Sequence, residues 1–209
     1  MRGRGVAASL AFLSSGAAAG GDAPVSYVVA PIRSELTGSQ TVGARRSGLI
    51  CAPAGSLRWS EVKPDPALAA RIVAGTLSRR GIVAELPADD RIGALPPEGE
   101  RRIVGDVIRV RATACVKQYG LLQKLSPKRS VSGRGEIAIR WRIHRAGTRE
   151  PEVTYITCAA FELNGDAREP HALLDEGVAA ASLKLAALLA GRPDDAGCAS
   201  ASAELEPAA

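Results

Sequence analysis

Between Glu136 and His144 the chain runs Glu-Ile-Ala-Ile-Arg-Trp-Arg-Ile-His, and this stretch constrains the fold most. Ile137, Ile139, Trp141 and Ile143 fall on every second position. Period-two alternation over nine residues is the pattern of a β-strand with one face in a core and one in water. Similar runs flank it. In the preceding run Ile108, Val110, Ala112, Ala114 and Val116 share one face, opposite Arg109, Arg111, Thr113, Cys115 and Lys117. In the following run Val153, Tyr155, Ala159 and Phe161 share a face, opposite Thr154, Ile156, Cys158 and Glu162. Joined by Tyr119–Gly135 and by the short Gly- and Pro-containing Ala146–Glu152, the three predict an antiparallel meander.

Helical spacing appears twice. Asp65-Pro66 supplies an N-cap and a first-turn proline. Leu68, Ile72, Val73 and Leu77 then recur on one side, and Arg79, Arg80 and Gly81 suit a C-terminus. A second helix is expected from Pro170 to Ala190 on the stripe Leu174, Val178, Ala181, Leu185 and Leu188, with Gly191 beyond it. Ser47–Pro53 reads as a first core strand, Ala54–Lys63 as a loop, and Ile82–Leu86 as a short strand. With the first helix these make a β-α-β unit with parallel strands. The expected fold is therefore α+β, a mixed α/β arrangement. A β-α-β unit precedes a three-stranded antiparallel meander and a C-terminal helix, with two helices on one face of a sheet of about five strands.

The N-terminus carries Arg2 and Arg4, a short apolar run to Leu13, and small residues ending at Ala17-Ala18-Ala19. That order is the signature of a secretory signal peptide, and the run is too short to span a bilayer. Residues 1–19 are expected to be the signal, 20–46 a linker with one short strand at Ser26–Val29, 47–191 a single domain, and 192–209 a disordered tail. No later stretch is apolar enough to span a membrane. No cysteine follows the apolar run to accept a lipid, so periplasmic or secreted localisation is expected. Loss of Arg2 and Arg4 lowers the formal charge from +5 to +3. With aromatics at 3% of the chain, a base-stacking surface is not expected, which argues against nucleic-acid binding.

The four cysteines, Cys51, Cys115, Cys158 and Cys198, lack zinc spacing and suggest disulfides in an exported chain. Three connectivities are open. In a simple meander Cys115 and Cys158 stand two strand spacings apart, about 9–10 Å, too far to bond. Cys51 then pairs with one of them or with Cys198, unless the thiols stay free and buried. His144 and His171 are the only histidines. Hairpin register places Cys158 opposite Ala138–Arg140 and keeps it from His144, so a Cys–His dyad is not expected. Gly133-Arg-Gly135-Glu-Ile-Ala138 matches a dinucleotide pattern but precedes a strand instead of a helix, and is read as a glycine turn. Ser60-Glu-Val-Lys63 lacks the partner motifs of a serine acyltransferase. No catalytic constellation, cofactor or metal is expected. The basic residues Lys124, Lys128, Arg129 and Arg134 in the Tyr119–Gly135 loop are the candidate partner-binding group.

The order of elements at Gly48–Pro53, Pro66–Arg80, Ile103–Val116, Glu136–Arg145 and Pro170–Ala190 resembles the small α/β domain of bacterial envelope proteins. These are proteins related to the curli secretion channel and the penicillin-binding-protein-activator lipoproteins. The resemblance implies non-enzymatic work in assembly, secretion or activation, through contact with an envelope protein or an anionic envelope component. The lipid-bearing cysteine of many such proteins has no counterpart here. The alternative is a periplasmic lipid- or small-molecule-binding auxiliary component of a transport system. An apolar pocket between helix and sheet would favour that alternative; a filled core with an exposed apolar patch would favour protein or envelope contact.

Overall fold

A computed structural model describes residues 25–87, 99–119, 128–167 and 169–192, and in it the meander dominates. Strands β6 (Glu100–Tyr119), β7 (Lys128–Arg145) and β8 (Val153–Ala167) pair antiparallel in that order. Ile137, Ile139, Trp141 and Ile143 are all buried. The expected hairpin register holds, with Ala138 opposite Cys158.

One phase break was not anticipated. Val107 pairs with Ile139 and Arg109 with Ala138, which leaves Ile108 as an inserted bulge residue. Ile103, Gly105 and Val107 therefore share the core face with Val110, Ala112 and Ala114, while Ile108 is only half-buried.

The second edge of β6 takes three short parallel partners. β1 (Ser26–Val29) pairs with Glu100–Ile103, β2 (Arg33–Ser34) with Asp106 and Val107, and β3 (Thr41–Ser47) with Ala112–Val116. β4 (Ala52–Arg58) continues antiparallel from β3, and β5 (Ala84–Glu85) lies parallel to β1. The result is one sheet of eight strands. Helix α2 (Pro66–Arg79) begins as the sequence predicts: the Asp65 carboxylate accepts from the Leu68 N–H at 2.7 Å. Helix α3 (Ala172–Leu189) packs on β7, β8 and α2, while α2 also contacts β1 and β5. The core lies between these helices and the sheet, making the fold α+β.

Three expectations are corrected. The short strand expected at Ser26–Val29 is β1, but the residues after it are not linker, because β2 and β3 also lie in the sheet and Ile32 and Val42 are core residues. Ser47–Pro53 is not a core strand. Gly48–Cys51 forms the turn between β3 and β4, and the parallel partner across α2 is β1. The expected loop Ala54–Lys63 holds most of β4 and a single helical turn, α1 (Trp59–Val62), which buries Trp59 and Val62.

Gly133 and Gly135 form no turn either, since both lie inside β7. A Cβ on Gly135 would stand 2.4 Å from the Arg111 carbonyl oxygen and 2.7 Å from Cζ of Phe161. The absent side chain lets Phe161 settle against the strand. The expected signal (1–19) and the tail beyond Arg192 lie outside the described residues.

Candidate functional site

The face of the meander away from the helices is lined with arginine. Alternation puts Arg109 and Arg111 of β6 on that face with Arg134, Arg140 and Arg142 of β7, and pairing makes them neighbours. Arg111 stands beside Glu136, Thr113 beside Arg134, Asp106 beside Arg140, and Arg102 beside His144. β2 adds Arg33 opposite Asp106. Carboxylates are fewer: Asp106, Glu136 and Glu162, with Glu35 reaching in from beyond β2.

Two of the arginines are engaged. Arg142 forms a short ion pair with the buried Asp106, and Arg140 meets Glu35 at 2.6 Å. The Arg109 guanidinium approaches the Cys158 sulfur at 3.7 Å. Arg109, Arg111 and Arg134 are exposed and make no ion pair among the described residues. These three line an open depression of about 1190 Å³ bounded by Thr41–Ala44 on one side and Ala160–Glu162 on the other, with no helical residue in its wall. Such a surface can hold an extended anionic group by charge and bidentate hydrogen bonding.

At the far end of the same face, burial, and then the charge of Arg142, hold the His144 imidazole below its ordinary value of 6.5. Arg102 adds to this, and hydrogen bonds with the backbone of Arg149 and Glu150 oppose it. The unfolded chain then binds the proton more readily than the folded one. Stability is full above about pH 6.5 and declines as pH falls through the depressed value. Between about pH 7 and 5.5, above the range of ordinary carboxylates, the denaturation midpoint should fall for the natural chain. It should stay flatter for His144→Gln. Equal slopes for the two would contradict the electrostatic account.

The sequence-predicted site residues separate. Cys51 and Cys115 are joined by a disulfide. Cys158 is also disulfide-bonded, and Cys198 lies outside the described residues. Cys158 pairs with Ala138, six residues along β7 from His144, about 20 Å by strand rise. The two do not form a dyad.

Lys124 is outside the described residues. Lys128, Arg129 and Arg134 are not on a loop, because the β6–β7 ladder continues to Tyr119 opposite Lys128. Arg134 lies on the arginine face. Alternation in the sequence puts Arg109, Arg111, Arg140 and Arg142 on the wet side of their strands. Their alternation was visible, but the clustering needs the register of three strands together. Among the described residues, no group of three or more His, Cys, Asp or Glu could hold a metal, and no helix is long and apolar enough to cross a membrane.

No family model matches the chain, and no curated protein matches it. Among solved structures it is similar to a DUF330-family protein from Xanthomonas campestris, at 12% identity and a TM-score of 0.42, over 81% of this chain and 87% of that one.

Proposed function

We propose that this is an exported, non-catalytic protein of the bacterial cell envelope, periplasmic or secreted, that works by binding an anionic envelope component. The observation that carries this reading is the open sheet face on which Arg109, Arg111 and Arg134 stand without ion-pair partners among the described residues. Arginine kept unpaired on a broad surface costs solubility nothing and offers charge complementarity to a polyanion. Disulfide bonding at Cys51, Cys115 and Cys158 supports an oxidising compartment. The space between helices and sheet is filled by Leu77, Ile103, Ile137, Trp141, Leu174 and Leu185, all fully buried. A filled core favours surface contact over a lipid held between helix and sheet.

The test uses the exported protein with its disulfides intact. It should bind a short fluorescent polyphosphate and retain an anionic component from envelope extract. Replacing Arg109, Arg111 and Arg134 together with Ala should weaken both by about tenfold, and added salt should narrow that gap. Unchanged binding by the triple variant, with its fold intact by circular dichroism, would remove the proposal.

A further inference from the structure

At one end of the sheet the β3–β4 turn, Gly48–Cys51, exposes Leu49 at 67% and Ile50 at 88%. Isolated exposed aliphatic residues are ordinary on a protein surface. Here two are consecutive, at a turn tip, where polar or glycine residues would serve folding as well. The tip is also fixed in place. Cys51 adopts the left-handed φ of 52° that non-glycine residues seldom take. Its disulfide to Cys115 ties the turn back to β6.

Cations surround the tip. Arg45 and Arg46 are exposed on β3 just before it, and Lys117 on β6 lies one residue beyond Val116, the partner of Ser47. Glu61 takes up Arg45 at 3.0 Å, which leaves Arg46 and Lys117, among the described residues, as the cations of the collar.

We propose that this tip docks on an anionic lipid bilayer. Leu49 and Ile50 enter the headgroup–acyl boundary, and Arg46 and Lys117 lie against anionic headgroups. The size of the apolar patch decides between lipid and protein. Two side chains are far too little for a stable protein interface, which needs about 800 Å² from each partner. Interfacial lipid binding requires only a small apolar insertion supported by basic charge, and it is reversible at that size. This docking site is separate from the arginine face at Arg109, Arg111 and Arg134.

Vesicle sedimentation of the exported protein, disulfides intact, tests the proposal. It should bind vesicles of phosphatidylcholine mixed with phosphatidylglycerol and bind phosphatidylcholine alone more weakly. Leu49→Ser with Ile50→Ser should lower binding to the mixed vesicles about tenfold without altering the circular dichroism spectrum. Arg46→Ala with Lys117→Ala should abolish the preference for the anionic vesicles. Equal binding by the Leu49/Ile50 variant overturns the proposal, as does failure of the natural chain to bind the mixed vesicles at low salt. Loss of vesicle binding only in the Arg109/Arg111/Arg134 variant would also overturn it, assigning the contact to the sheet face.

Discussion

Replacing Trp141 with Ala is expected to lower the stability of the folded chain by about 3–5 kcal/mol, a large part of the roughly 5–15 kcal/mol that holds a typical domain together. Trp141 is fully buried on β7. It faces Gly105 across the β6 ladder, where a Cβ would stand 2.7 Å from the indole. The cavity left by Ala would therefore open against a strand that has no side chain with which to fill it.

The indole N–H donates to the Thr157 hydroxyl at 2.8 Å, and Thr157 is itself fully buried. Thr157→Val keeps the shape of the site but strands that donor, which should cost about 1–3 kcal/mol. The double variant should cost less than the sum of the two single changes, because Ala removes the donor that Val would strand. Chemical denaturation followed by far-ultraviolet circular dichroism measures all three without relying on tryptophan emission. A loss below about 1 kcal/mol for Trp141→Ala would mean that this residue does not sit at the centre of the core.

The parts of the fold visible in the sequence are those whose determinants are local. In β7 every second residue from Ile137 to Ile143 carries its own burial signal, and the short connection to β8 fixes their register. Asp65-Pro66 announces α2 through a hydrogen bond spanning three residues. β3 announces nothing of the kind, and β1 is legible as a strand at Ser26–Val29 but not as a member of this sheet. Ser26–Val29 pairs with residues more than seventy positions later, in a parallel ladder whose partner no nearby residue encodes. In β3 only Val42 is buried, so its composition reads as a solvated connection.

Reading β1 as an isolated strand and β3 as linker displaces the parallel unit onto the Ser47–Pro53 segment, whose Leu49 and Ile50 look like core residues and are the most exposed large apolar residues described. The bulge at Ile108 has one sequence signal: strict alternation back from Val110 through Ile108 would put Asp106 on the core face, and the inserted residue turns it to the other side. The arginine face was half legible. The side of each arginine followed from alternation, but its neighbours followed only from pairing among three strands.

The pairing of Cys51 with Cys115, left open by spacing, follows from the adjacency of β3 and β6, where Arg46 stands beside Cys115. Replacing both cysteines with Ser should cost about 4 kcal/mol. The closed loop has a sequence separation of 64, and cross-linking a loop of that length removes this much conformational freedom from the unfolded chain. The native state should also loosen locally. The β3–β4 hairpin buries only Val42 and Leu57, so without the bond its attachment to β6 rests largely on the parallel ladder. Hydrogen exchange should accelerate first over Thr41–Arg58 while the amides of β7 stay protected. Denaturation separates the two contributions. If the bond acts on the unfolded chain, the Ser variant exposes more surface on unfolding and its denaturant slope rises as its midpoint falls. If it acts only by holding the hairpin in place, the hairpin is already open in the native state and the slope falls. A stability within about 1 kcal/mol of the natural chain's, with unchanged exchange over Thr41–Arg58, would show that the sheet holds this hairpin without its staple.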